Sequence, residues 1–252
     1  MRALLLLAAI LLATAPVQAE RLVSTISNQA IQINSSFDGE TLSLFGSIEP
    51  DRANGEIEAN GVYNAIVVIE GPLINRVTRE KTSVAGIWIN TDQVFFERFP
   101  SYFHVLSSDR LTDITDIVTL TVENILPDSL ALQSAQSAWY KSVVFGREMV
   151  RLMTERGLFG VHEQGVQFLS NTAYTARLTL PSDIPNGSFI AHTYIFREGA
   201  IVARATEGFS VRKSGFERFL GLAAVQQPFL YGIVCVALAI GTGWLGGVVF
   251  RR

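Results

Sequence analysis

Residues 174–211 read YTARLTLPSDIPNGSFIAHTYIFREGAIVARATEGFSV, and their pattern decides the fold class. Tyr174, Ala176, Leu178 and Leu180 alternate with Thr175, Arg177 and Thr179. Successive side chains of a strand point to opposite faces, so this alternation predicts one face in a core and the other in water. Pro181 to Gly187 ends the run with two prolines, an aspartate, an asparagine and a glycine. These residues favour turns by fixing or freeing φ and by local side-chain bonding. Ser188–Arg197 and Ile201–Val211 then form a hairpin through Glu198-Gly199, a short loop whose backbone suits the twist of antiparallel strands.

Working outward, the same period governs the N-terminal part. Ile31 and Ile33 alternate with Gln32 and Asn34, and Leu42, Leu44 and Ile48 with Thr41, Ser43 and Ser47. Asp38-Gly39, Asn60-Gly61 and Gly71-Pro72 punctuate these runs. Tyr63–Ile69 is apolar on both faces and predicts a central strand; Val84–Ile89, with Trp88, reads likewise. Between Asp109 and Gly157 the apolar residues recur at three and four, as in Ile114, Ile117 and Val118, then Trp139, Val143, Met149, Leu152 and Met153. This is a helical block, broken at Pro127 and stopped by Gly157. Ser107 or Ser108 is expected to cap it, with Asp109, Asp113 and Asp116 near the positive end of the helix dipole.

The fold expected is mainly β: an immunoglobulin-like β-sandwich of about seven or eight strands. Its first part covers residues 20–108, a helical insertion 109–158 and its second part 159–214. Two small β domains bridged by helices are the alternative.

The ends of the chain point to a membrane. Arg2, the apolar run Ala3–Ala13 and small residues at Val17 and Ala19 predict a signal peptide over residues 1–19. Phe229–Phe250 holds no charged side chain, and at about 1.5 Å of rise per residue it is long enough to span a hydrocarbon core of about 30 Å. Pro228 suits the first turn of that helix. Arg251 and Arg252 are expected to stay on the cytoplasmic side of a bacterial inner membrane, which places the folded domain in the periplasm. Gly243 and Gly247 form a small-xxx-small pair suited to close helix packing. Two readings fit residues 215–228: a plain linker, or a segment lying on the bilayer with Phe216, Phe219, Leu220 and Leu222 in lipid and Glu217 and Arg218 in water.

Composition narrows the function classes. The chain has 20 Lys plus Arg and 23 Asp plus Glu; without Arg2, Arg251 and Arg252, 17 basic groups face 23 acidic ones outside the ends, a net of −6. A nucleic-acid partner does not fit that balance. The single cysteine, Cys235, lies in the span, so no intramolecular disulfide forms.

Chemistry-bearing motifs are few. His104, His162 and His192 stand in no metal or nucleophile motif, and no cofactor is implied. His162-Glu163 reads as a solvated turn, and His192 as a packed or edge histidine on a strand. Phe95, Phe96, Phe99, Tyr102 and Phe103 lead into His104; core packing explains such a run, and a ligand groove or partner surface at Phe99, Tyr102, Phe103 and His104 is the functional reading. Arg76, Arg79 and Lys81 form the densest basic patch, read as a charged loop that could meet anionic lipid or a small oxyanion.

The stretch FREGAIVARATEGFSVRKSGFERFLGLAAVQQPFLYGIVCVALAIGTGWLGGVVFRR (196–252), with FPSYFHVLSS (99–108) and SLFGSIEP (43–50), resembles an uncharacterised family of transmembrane proteins from alphaproteobacteria. The resemblance covers the mature chain, and its tail is the most specific part. The family has no established activity, cofactor or catalytic residue, so no site residue carries over. The resemblance implies a setting near permeases of the sulfite-exporter type, hence a transport accessory whose partners are the lipid bilayer and an integral membrane protein. The expectation is therefore a non-enzymatic, membrane-anchored accessory; a periplasmic small-ligand binding or sensor domain is the alternative.

Overall fold

Period-two alternation requires two apolar sheet faces to meet, and the chain builds them from strands far apart in sequence. The computed structural model describes residues 20–33, 39–50, 59, 61–213 and 216–249. The expected signal peptide (1–19), Asp38, Asn60, Phe250, Arg251 and Arg252 lie outside the described residues.

One sheet has four strands in the order β1-β3-β11-β10: β1 (Arg21–Ile26), β3 (Glu40–Glu49), β11 (Ala173–Leu180) and β10 (Val166–Phe168). Leu42, Leu44 and Ile48 of β3 and Tyr174, Ala176, Leu178 and Leu180 of β11 are buried, which is the alternation read from the sequence. The stripe skips Gly46 because the Tyr174 ring lies across it: a Cβ there would come within 2.3 Å of the phenol oxygen.

The second sheet has six strands in the order β2-β13-β12-β4-β7-β9. They are β2 (Ala30–Ile33), β13 (Ala200–Lys213), β12 (Gly187–Arg197), β4 (Tyr63–Glu70), β7 (Phe103–Ser107) and β9 (Phe159–Glu163). The chain leaves the first sheet after Ile26 and enters the second at Ala30, where β2 runs parallel to β13. Glu198 and Gly199 join β12 to β13 with φ of 52° and 82°, the left-handed pair of a tight hairpin turn. β4 is central: Ala65, Ile66, Val67, Val68 and Ile69 are all buried, so both faces of the sheet are covered there. The start of the domain is tied down by Glu20, a buried carboxylate that accepts from Tyr63 Oη at 3.0 Å and pairs with Arg197 at 2.5 Å.

The helical block is α1 (Leu111–Ile114), α2 (Ile117–Val122), α3 (Pro127–Ser134) and α4 (Trp139–Glu155). Pro127 starts α3, and Gly157, at φ 69°, ends α4. The expected serine caps give way to others. Ser107 donates to the Asp109 carbonyl and Ser108 accepts from Ala65 N, while Asp116 caps α2 by accepting from Val118 N and Thr119 N. The three aspartates therefore do not share a helix face: Asp109 precedes α1, Asp113 lies in it, and Asp116 opens α2. Thr115 donates to the Gly199 carbonyl at 2.8 Å, and Glu123 pairs with Arg204 at 2.6 Å, so the block is fastened to the β12–β13 hairpin.

Two expectations are corrected here. Val84–Ile89 is not a central strand but the tip of a hairpin made by β5 (Leu73–Val84) and β6 (Ile87–Pro100). Ala85 and Gly86 turn it with φ of 51° and 82°. The hairpin, joined by β8 (Ala135–Gln136), forms a third sheet of order β5-β6-β8. Residues 73–100 thus belong with the helices as an outgrowth, where the sequence placed them in the sandwich. At its base Val94, Phe96 and Phe99 are all buried, a two-step followed by a three-step. A strand makes that change only through an irregularity, supplied by Arg98 at φ 49°, whose N–H donates to Asn75 Oδ1.

Beyond the sandwich, α5 (Phe216–Gln226) leads into α6 (Pro228–Val249). The juxtamembrane segment is helical, with Phe219, Leu220, Leu222 and Val225 exposed. Among the described residues α6 alone is long and apolar enough to cross a membrane; it has 22 residues, mean hydropathy 2.0, and none of it is buried against the rest of the chain.

Candidate functional site

Three regions answer to the side chains singled out by the sequence. The first is the aromatic run. Phe99, Tyr102 and Phe103 are buried at 0–1% exposure, with Phe99 against Phe96 and Phe159, and Phe103 against Phe159. They are core, not a ligand or partner surface: Phe103 is on β7, covered on both faces between β4 and β9, while Phe99 at the end of β6 and Tyr102 just before β7 pack on Phe159 and Phe189. Aromatic pairs at ring separations of 5.4–5.8 Å add to what their burial contributes.

The second is a histidine pair that the sequence did not reveal. β7 and β9 run parallel in a register that sets His104 opposite Gly160 and Leu106 opposite His162. His162 and Glu163 are exposed, as expected of a solvated segment, but they lie on a strand and not in a turn, and His162 Nε2 lies 2.9 Å from His104 Nδ1, with the rings stacked at 5.1 Å. His104 Nε2 lies 3.2 Å from the Gly157 carbonyl, so it carries the proton and donates. Nδ1 of His104 is then the acceptor and His162 Nε2 the donor. Burial pushes the His104 imidazole down to about 4; its bond to Gly157 acts the other way, and His162 adds to the depression. His104 is therefore neutral at pH 7. Gly160 permits the pair, since a Cβ would come within 2.9 Å of the His104 ring and 3.1 Å of His162 Nε2. The arrangement is a clasp between β7, β9 and the end of α4. Among the described residues no group of three His, Cys, Asp or Glu is disposed to hold a metal ion. His192 is separate, on the outer side of β12, with Nδ1 3.1 Å from Thr206 Oγ1.

The third region is the hairpin. At about 3.3 Å per residue, the 12 residues of β5 extend about 40 Å. β6 meets β8 only at Phe95 and Phe96, so residues 79–93 pair with nothing but one another. Every residue from Arg79 to Thr91 is exposed, yet the tip carries Val84, Ile87, Trp88 and Ile89, with Ile87 67% and Trp88 69% exposed. Thr82 and Thr91 share a hydroxyl hydrogen bond of 2.8 Å across the strands, and Lys141 at the start of α4 braces Asp92 at 2.5 Å. A hairpin standing alone in water is marginal, and large apolar side chains at its tip gain nothing from the fold. One sequence signal could have found this: a glycine inside an apolar run, Gly86, marks a turn or bulge.

The span offers no fixed geometry for Gly243 and Gly247, which have no atom of the chain within 4 Å of a built Cβ. The face they present is open. Comparison with curated proteins gives no match. The family model described as "Putative transmembrane protein (Alph_Pro_TM)" matches residues 21–252, nearly the whole chain and both of its parts, so the chain belongs to that family of membrane proteins.

Proposed function

We propose that this protein is a non-enzymatic accessory of an inner-membrane system, held by one span with its sandwich in the periplasm, and that the β5–β6 tip is the surface by which it binds an integral membrane protein. The exposed apolar tip carries the reading. Val84, Ile87, Trp88 and Ile89 are solvent-facing within one short turn of chain, whereas on the sandwich strands Val23, Phe45, Val161 and Ile190 are scattered singly at 40–45% exposure. Val84, Ile87 and Ile89 share one face of the tip and Trp88 projects from the other, and exposed apolar clusters of this kind mark interaction sites. Tethering by α6 keeps the domain at the bilayer, where membrane proteins are concentrated.

The expected signal peptide over residues 1–19 and the cationic pair Arg251 and Arg252 support this orientation. The strand orders β1-β3-β11-β10 and β2-β13-β12-β4 follow the two sheets of an immunoglobulin sandwich with a split first strand, which supports that fold as an extracytoplasmic binding scaffold. The family resemblance nominates a sulfite-exporter-type permease as the first partner to test.

The test places a photo-crosslinking residue at Trp88 and, as a control, at exposed Val118, in cells, followed by purification of the adducts. One integral membrane protein recovered from position 88 alone is the expected result. Recovery of lipid only, or of the same products from both positions, would remove the partner assignment from the hairpin.

A further inference from the structure

Arg76 and Thr78 of β5 line a groove of about 620 Å³ whose other wall is α4. Toward the tip it continues into a second hollow of about 360 Å³ that shares Thr78, Arg79 and Leu152. The basic patch seen in the sequence is therefore on a strand, not on a loop, and Arg76 and Arg79 of it line the cleft.

The charges of the groove are unbalanced. Arg76, Arg79 and Arg156 line the larger hollow against a single acid, Glu155, and Glu155 is already held by Arg151 at 2.5 Å. Arg156 reaches Asp183 only at 3.8 Å, and Arg79 Nε donates to the neutral Gln93 at 3.3 Å. Arg76 has no carboxylate within salt-bridge distance among the described residues; its Nε is shut off from solvent with no hydrogen-bond partner, and Thr78 Oγ1 in the same groove is likewise unpartnered. Burial, with Arg156 nearby, lowers the affinity of the Arg76 guanidinium for its proton. The Arg76 charge therefore lacks a counter-ion beside Arg156, and an anion in the groove supplies one. Met149, Leu152 and Met153 supply an apolar wall beside these donors.

We propose that this groove binds a small organic oxyanion, its carboxylate, phosphate or sulfonate head taken by Arg76 with Arg156 and Thr78 alongside, and its apolar body against Met149, Leu152 and Met153. Arginine's planar fork suits such heads, and neutralising Arg76 relieves its repulsion with Arg156. The site is separate from the hairpin tip and does not depend on the partner assigned there.

Calorimetric titration of the full chain in phosphatidylcholine nanodiscs, with phenyl phosphate, benzoate and the neutral benzamide, tests it. Phenyl phosphate or benzoate binds, more weakly as salt is raised, and benzamide does not. Arg76→Gln weakens binding about tenfold or more, while the melting temperature without ligand stays the same or rises because a like-charge contact is gone. Absence of heat with both anions, equal binding of benzamide, or unchanged binding by Arg76→Gln overturns the proposal. Should Arg76→Gln also melt earlier, Arg156→Gln on the exposed rim decides, and undiminished binding by that variant overturns it. Repeating the titration in nanodiscs containing phosphatidylglycerol separates the sources: weaker phenyl phosphate binding there assigns the head to a lipid, and unchanged binding assigns it to a free small molecule.

Discussion

The sandwich and the β5–β6 hairpin are both antiparallel β, yet they treat apolar side chains in opposite ways. On β3 and β11 the inward residues Leu42, Leu44, Ile48, Tyr174, Leu178 and Leu180 are buried, and the outward set is Thr, Ser and Arg with a single large apolar residue, Phe45, at 40% exposure. On the outer hairpin Val84, Ile87, Trp88 and Ile89 stand in water on strands that touch no other sheet. The difference teaches that the same β-branched and aromatic residues mean stability in one place and contact in the other. Which meaning holds is set by whether a second layer lies opposite.

The sharpest way to break this comparison is to truncate one residue of each kind. Phe103→Ala on β7 removes a buried ring packed against Phe159 of β9, and is expected to cost about 3–5 kcal/mol in denaturant unfolding. A loss below about 1 kcal/mol would mean that β7 is not core.

The histidine clasp gives the next effect. His104 is depressed to about 4 in the folded protein, whereas an unfolded histidine titrates near 6.5. The unfolded chain therefore takes up a proton first as pH falls. Its contribution is fully present above about pH 6.5 and is lost progressively toward about pH 4, by about 3 kcal/mol in all. Melting curves across that window should show the slope in the wild type and a flatter one in His104→Gln. Equal slopes would place the titrating group elsewhere.

Gly160→Ala should cost about 1–3 kcal/mol, because the new methyl meets the buried His104 ring. The variant would also flatten the pH slope, linking the two measurements. Trp88→Ser closes the series with the smallest change in stability, within about 0.5 kcal/mol, together with reduced co-purification of the membrane partner. A large drop in melting temperature for Trp88→Ser would merge the tip with the core and end the contrast.

Legibility followed the reach of the interactions involved. Alternation on Leu42–Ile48 and Tyr174–Leu180, the Glu198-Gly199 turn, the stops at Pro127 and Gly157 and the uncharged span are local in sequence, and all were readable. The Ala85-Gly86 turn was not, because it lacks polar turn residues and sits inside an apolar run. Ala85 adopts φ 51° at a cost of roughly 1 kcal/mol, compensated by cross-strand pairing on either side. His104 and His162 are 58 residues apart and meet only because a parallel β7–β9 pairing, with α4 between, sets their register. Arg76, Arg79 and Lys81 were visible as a cluster, but the cleft wall opposite them comes from α4, more than sixty residues on.

The sequence by itself determined that the chain is strand-rich, that a helical block interrupts it, and that one apolar helix follows it. Periodicity and length are sufficient for those conclusions because they express how each segment meets water or lipid. Only the tertiary structure decided which apolar residues are core and which are surface, which histidines touch, and that an unpaired arginine faces a groove. Burial and pairing depend on what a distant segment places opposite, and no local pattern carries that information.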